Sequence, residues 1–548
     1  MMLRKTIAVL ALAGVLPLAA SAQVTFERLL NASAEPQNWL TYSGGYTSQR
    51  HSLLKQIRPN NVGDLALKWV FQAQSLENFE TTPLVVDGVM YLTEAPSTAV
   101  AVDAATGRVF WRYQYNPAQT SRPCCGRVNR GLAILGNRAF MATIDAKLIA
   151  LDLATGQPVW EAALADAASG YAMTLAPLVV KDKVIVGVAG GEYGIRGFIA
   201  AFDAQSGREA WRFYTIPAPG EPGHETWGAG DAWQHGGASV WVTGSYDAAL
   251  DLTYWGIGNP GPDWNPKQRP GDNLYSDSVV ALDPDTGELK WHFQFTPNDD
   301  YDYDAVQVPV LADIPAAGAD GGKLMLWGNR NGFFYVLDRV TGKFVRGAPF
   351  VKVNWASGLD ERGRPIETRQ PPDAVTYPGV QGGTNWYSPS YSPSTQLFYV
   401  SAWEHYGSVF RSEDVEYKPG VTFVGGWPGS PIAGVANLPG LKRGPINSWT
   451  DALGNGAVIA IDPKTGKQRW RFPTTDVSSS GILTTAADLL FTGSREGYFY
   501  ALDARTGAQL WRASLGGQGA NGPMSYAVNG AQYVAVASGN SLFVFGLR

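Results

Sequence analysis

With 548 residues, 45% of them hydrophobic and 12% aromatic, the chain can bury a large core, and length alone suggests several domains. Its 43 Lys and Arg against 48 Asp and Glu leave a formal net charge of −5, which argues against nucleic acid as a partner. Only two cysteines occur, the neighbours Cys124 and Cys125, so no disulfide framework staples the fold, and the absence of Cys-x-x-Cys-His excludes covalent c-type haem.

Arg4 and Lys5, an apolar run over 7–19 and the small residues Ala20, Ser21 and Ala22 read as a secretory signal, residues 1–22. The mature chain, 23–548, then starts at Gln23, and losing two basic residues takes the charge from −5 to −7. No later segment approaches the roughly 18 unbroken apolar residues of a membrane span, so an exported, soluble protein is expected. In an oxidising compartment Cys124 and Cys125 have two readings, a strained vicinal disulfide of local use or a pair of buried thiols.

From Asp103 onward the chain repeats itself. Ala-Val-Asp103-x-x-Thr106-Gly107 is followed by Trp111, and the pattern recurs with Asp152 and Trp160, Asp203 and Trp211, Asp283 and Trp291, Asp462 and Trp470, and Asp503 and Trp511. Aspartate and tryptophan are eight residues apart in all six copies, and a seventh, Asp338-x-x-Thr341-Gly342, lacks the tryptophan. A strand ending at aspartate, a tight turn with glycine at positive φ, and a strand delivering tryptophan make each copy a β-hairpin. Alternating strands at 85–93, 138–143, 179–189, 252–258, 323–328, 397–402, 489–493 and 533–537 accompany the repeats. The spacing predicts an all-β, eight-bladed β-propeller with docking tryptophans between blades, Trp69 supplying the one near the start. The stretches 203–283 and 338–462 exceed one period; these insertions are read as functional loops over one face rather than a second domain.

Between two repeats lies Thr296-Pro297-Asn298-Asp299-Asp300-Tyr301-Asp302-Tyr303-Asp304, four aspartates within six residues. Crowded carboxylates repel, so such a cluster is either solvated or shares a cation.

The repeats and the segments between them resemble the pyrroloquinoline quinone (PQQ) dehydrogenases of the periplasm over nearly the whole mature chain. Cys124-Cys125-Gly126-Arg127-Val128-Asn129-Arg130 is similar to that family's vicinal disulfide and cofactor-binding arginine. The resemblance implies that the disulfide packs on one face of the quinone, Trp227 of Thr226-Trp227-Gly228 on the other, and that Arg130 pairs with a cofactor carboxylate. It further implies cofactor contacts from Glu80, Thr174, Asn385 and the Ala189-Gly190-Gly191 segment. Glu192, Asn259, Asp302 and Asp304 are the implied metal ligands.

By the same resemblance Asp302 is the catalytic base and Arg330 contacts the quinone oxygens. An aspartate at position 304 is the mark of the lanthanide-dependent members, a small residue that of the calcium-dependent ones. Three carboxylates beside the neutral Asn259 also favour a trivalent over a divalent cation. The implied activity is oxidation of primary alcohols to aldehydes by hydride transfer to metal-bound PQQ, with a c-type cytochrome as electron acceptor; a homodimer is left open. Asp299 and Asp300 read as the solvated members of their cluster. Ser479-Ser480-Gly481 departs from a tryptophan followed by two glycines in many relatives, and the loop at Trp264 is one residue longer than the common pattern. A non-enzymatic propeller scaffold is the rival class, and it would need none of Glu192, Asp302, Arg130 or the cysteine pair.

Overall fold

The computed structural model describes residues 23–118, 121, 123–315, 320–371, 373–429, 453–519 and 521–548; the signal segment expected at 1–22 lies outside them. Eight sheets with four antiparallel strands each form the blades of a propeller, and in the seventh the short strand His51–Ser52 adds a fifth by pairing in parallel with Ile482–Thr485. Blades 1 to 7 follow one another, each running from its inner to its outer strand. Their inner strands are Leu84–Val86, Leu132–Leu135, Leu178–Val180, Ser245–Asp247, Val310–Asp313, Ser390–Ser392 and Ile482–Thr485. Blade 8 joins the two ends of the chain: Met524–Val528, Ala531–Ser538 and Ser541–Leu547 supply three strands, and Leu65–Gln72 adds the outermost by pairing with Ser541–Leu547.

The repeat explains the blade-to-blade contacts. In the first copy the Asp103 carboxylate accepts the amides of Ala105 and Thr106 at 2.8 and 3.0 Å, fixing the turn, and Gly107 follows at φ 76°. A Cβ on that glycine would lie 2.6 Å from the Trp69 ring, so the residue must be bare for the preceding blade's tryptophan to dock. Trp111, Trp160, Trp211, Trp291 and Trp470 pack the same way on Gly156, Gly207, Gly287, Gly342 and Gly507. Four of the indoles also donate to the carbonyl just after the next blade's aspartate, as Trp111 does to Leu153 at 3.1 Å. Where Trp69 and Trp291 dock, Tyr526 and Tyr254 hydroxyls bond the corresponding carbonyls, of Ala104 and Arg339. The seventh copy, without its tryptophan, leaves Gly466 facing only Ala348, 3.6 Å away.

The N-terminal segment 37–52 crosses the inner strands of seven blades. Gln37, Trp39, Tyr46, Thr47, Gln49 and Arg50 bond in turn to Ala527, Val85, Val179 and Tyr246, Leu311, Tyr391, and Thr484. Arg50, fully buried, adds bonds to Pro523 and Gly522 carbonyls at 3.0 and 2.5 Å. Among the described residues the long insertions add two small hairpin sheets, Ala356–Leu359 with Pro365–Glu367 and Val409–Ser412 with Gly426–Gly429. No helix among the described residues is long and apolar enough to cross a membrane.

Candidate active site

Segments entering the inner strands, and the loops between second and third strands, gather on one face of the ring around a cavity of about 450 Å³. Glu80, Cys124, Cys125, Arg130, Thr174, Ala189, Gly190, Glu192, Asp302, Asp304, Arg330 and Asn385 all line it. They come from blades 1, 2, 3, 5 and 6, and the stacking of successive blades brings them together.

On one side of the cavity Arg130 is buried with the Glu80 carboxylate 2.8 Å from its Nη2, while its Nη1 donates to Thr174 Oγ1 at 2.8 Å. Burial pushes the Glu80 carboxyl up, and the charge of Arg130 pulls against that shift. Cys124 and Cys125 are joined by a disulfide. Its exposed sulfurs face the same space, with Cys124 Sγ 2.7 Å from Glu192 Oε1.

The aromatic wall differs from expectation. Trp227 is 1% exposed and does not line the cavity: a Cβ on Gly236 would lie 2.3 Å from its ring, and its indole N–H is given to the Leu274 carbonyl. Thr226 is spent on the same turn, donating to Gly223 O and accepting from Leu274 N–H. The cavity tryptophans are Trp241 and Trp386, whose ring centroids lie 5.0 and 4.3 Å from the Arg130 guanidinium carbon. Gly191 packs behind the wall against Ser239 and Gly237. A positional signal separates the two candidates: Glu80, Val128, Thr174, Trp241 and Trp386 each stand four residues before an inner strand and all line the cavity, whereas Trp227 stands 18 before one.

On the other side lie the acids. Arg330, 4% exposed, donates to Asp304 Oδ2 at 2.5 Å, to Asp302 Oδ2 at 3.2 Å and to the Val380 carbonyl at 2.6 Å. The second Asp304 oxygen accepts the backbone N–H of Asn259 at 2.9 Å. Asn259 thus meets the acid patch through its backbone N–H, and its side-chain Nδ2 lies 3.5 Å from the Pro260 carbonyl, which leaves Oδ1 without a bond to the acids. Burial raises the Asp302 carboxyl well above the usual carboxylate range; Asp304 and Glu192 reinforce this, and Arg330 opposes it. Burial likewise takes Glu192 up to about 7.

Asp302 has left-handed backbone, φ 62°, a conformation costing a non-glycine residue on the order of 1 kcal/mol. Asp299 holds that turn: its two oxygens accept the Tyr301 and Tyr303 amides at 2.9 and 2.6 Å. The expectation of a solvated Asp299 is therefore corrected; it is 1% exposed and structural. Asp300 is half-buried, with its carboxyl pushed up by burial.

Among the described residues, Cys124, Cys125 and Glu192 are the only three His, Cys, Asp or Glu whose ligand atoms all lie within 4.8 Å of one another, and disulfide sulfurs carry no thiolate. Glu192, Asp302 and Asp304 share the cavity without converging that closely, because Arg330 draws both aspartates to itself. In type the donor set fits a hard cation: three carboxylates and an amide, oxygens throughout, with only one guanidinium beside them.

Fold and cavity together define a propeller whose one-sided loops suit a flat, anionic guest: aromatic walls, a disulfide, an arginine at each side and a patch of buried acid. The family model for the β-propeller domain of glucose, ethanol and alcohol dehydrogenases matches residues 39–372, and that of the outer membrane assembly factor BamB matches 454–546. The quinoprotein alcohol dehydrogenase PedH of Pseudomonas putida is 39% identical, over 95% of this chain and 89% of that protein. The quinohemoprotein alcohol dehydrogenase of Comamonas testosteroni is 37% identical, over 93% and 73%. Among solved structures, a europium-containing methanol dehydrogenase superposes with a TM-score of 0.85 at 32% identity, over 95% of this chain and all of that one. The quinohemoprotein alcohol dehydrogenase ADHIIG of Pseudomonas putida HK5 gives 0.87 at 33%, over 95% and 82%. The chain belongs to the PQQ-dependent alcohol dehydrogenase family.

Proposed function

We propose that the protein is a periplasmic dehydrogenase that oxidises primary alcohols to aldehydes, with PQQ in the cavity, a lanthanide ion as its metal and a c-type cytochrome as electron acceptor. The observation carrying this reading is the pairing, in one cavity, of Arg130 with Thr174 and Glu80 at one end and Asp302, Asp304 and Glu192 around Arg330 at the other. When bound, the quinone supplies a carbonyl that accepts hydride and the cation the Lewis acidity that polarises it.

The protein residues have separate tasks. Arg130 and Thr174 hold the acidic edge of the cofactor by charge-assisted hydrogen bonds, and Trp241, Trp386 and the disulfide give it hard walls. Glu192, Asn259, Asp302 and Asp304 hold the cation. Asp302 takes the proton of the alcohol hydroxyl; burial raises its basicity, and Arg330, 3.2 Å away, keeps the carboxylate directed into the cavity. Arg330 would also offset negative charge developing at the quinone oxygens. Asp304 supports the choice of a trivalent ion, since it adds a third carboxylate to Glu192 and Asp302. The europium in the similar methanol dehydrogenase is consistent with that choice.

The test is reconstitution of the metal-free protein with PQQ and either calcium or lanthanum, followed by dye-linked oxidation of short alcohols. Turnover with lanthanum, lost in Asp302→Asn at unchanged cofactor binding, is expected. Activity with calcium alone would overturn the metal assignment, and turnover in Asp302→Asn would overturn the base.

A further inference from the structure

Glu192 projects from a three-residue turn, Gly191–Tyr193, flanked by Gly190 at φ 116° and Gly194 at φ 64°. Two glycines in left-handed conformations give such a loop little stiffness of its own, so its direction must be set by what packs against it. What packs against it is a strap, residues 412–425, drawn from the insertion in blade 6. Phe423 N–H donates to the Glu192 carbonyl at 2.7 Å, and the carbonyl of the next residue, Val424, accepts Trp264 N–H at 3.0 Å. Two consecutive residues therefore tie the Glu192 loop to the loop that leaves Asn259.

Side chains reinforce the tie. A Cβ on Gly194 would come within 2.9 Å of the Phe423 ring and 3.0 Å of Tyr417, so the strap lies directly on the bare backbone beside Glu192. Tyr417 stacks on His235, ring centroids 3.5 Å apart, and Phe423 is buried. The strap is itself braced: Gln268 exchanges hydrogen bonds of 2.8 and 3.1 Å with the Val415 backbone, Asn265 donates to Glu413 O at 2.9 Å, and Glu413 N–H closes the loop on Gly425 O at 2.9 Å.

We infer that Phe423 and Val424 form a positioning clamp that sets the separation of the Glu192 and Asn259 loops and so the affinity for the cation between them. The inference rests on the reading of Glu192 and Asn259 as ligands given above. Neither clamp residue touches the cavity; they act through the loops they hold.

The test is terbium binding to the metal-free mature protein with PQQ, read by sensitised luminescence, with thermal melting measured without cation. Phe423→Ala and Gly194→Ala are expected to weaken terbium binding by about ten- to a hundredfold, the range typical of groups that orient metal ligands. Phe423→Leu, which keeps an apolar wedge, should recover most of the loss, and Tyr417→Phe, which keeps the stack, should bind like the unaltered protein. If Phe423→Ala is already unfolded at the assay temperature, Gly194→Ala and Phe423→Leu carry the comparison. Terbium binding unchanged in Glu192→Gln would overturn the ligand reading and the clamp with it. Binding lost in Glu192→Gln but unchanged in both Phe423→Ala and Gly194→Ala would overturn the clamp alone.

Discussion

Replacing Gly258 by alanine probes the acid patch without removing any of its polar groups. Gly258 does not need positive φ, so the cost is purely one of space. The added Cβ would stand 2.3 Å from Asp304 Oδ1, about 1.1 Å short of the 3.4 Å at which ordinary contact begins, with Ser239 O and Oγ at 3.1 Å blocking retreat on that side. Asp304 must therefore move by about 1 Å. That stretches its 2.9 Å bond from Asn259 N–H beyond hydrogen-bonding range and shifts the carboxylate bridged by Arg330. Losing one hydrogen bond to a charged group costs about 1.5–3 kcal/mol, and a misplacement of this size in a catalytic site typically costs on the order of a hundredfold in rate.

The assay is kcat for dye-linked alcohol oxidation by the PQQ- and metal-loaded protein, beside thermal melting, with Gly45→Ala as control because a Cβ there meets nothing within 4 Å. A rate within twofold of the control, at equal melting temperature, would refute the claim that Asp304 geometry limits the reaction.

Trp241→Ala should weaken PQQ binding with little loss of stability, whereas Trp227→Ala should destabilise by about 3–5 kcal/mol and leave cofactor affinity intact; cofactor titration and denaturant melts separate the two. Arg130→Met leaves Glu80 buried without its partner, and a loss of about 3–5 kcal/mol is expected in the cofactor-free protein by chemical denaturation. His51, partly buried with its Nδ1 2.9 Å from Thr484 Oγ1, is pushed down to about 4 by burial. The unfolded chain binds a proton there that the folded one does not, so stability falls as pH drops from about 6.5 to 4, by up to about 3 kcal/mol. A melting curve in which His51→Gln shows the same acid sensitivity would contradict this.

The blades were legible because each turn is written in side chains: an aspartate that caps, a glycine that must be bare, a tryptophan eight residues on. Blade 8 lacks the motif because its outer strands come from opposite ends of the chain and no turn joins them; the alternation over 533–537 and the lone Trp69 were its only traces. The path of residues 37–52 across seven blades left no trace, since backbone groups make most of its bonds. The charged residues expected in the site, Glu80, Arg130, Glu192, Asp302, Asp304 and Arg330, all line one cavity, whereas Trp227 does not and Trp241 does, and local sequence does not distinguish the two tryptophans. Distance to the next inner strand does. Asp299 departs from expectation because a carboxylate that caps two backbone amides is indistinguishable in sequence from one left in water.

Closure of blade 8 also fixes an order of events. Leu65–Gln72 is made early but pairs only with Ser541–Leu547, so during synthesis it waits as an open edge, with the exposed Leu67 and Val70 among its residues, until the end of the chain arrives. The strand made near the beginning is thus among the last to find its partner. The ring that carries the cavity closes only when these two strands meet.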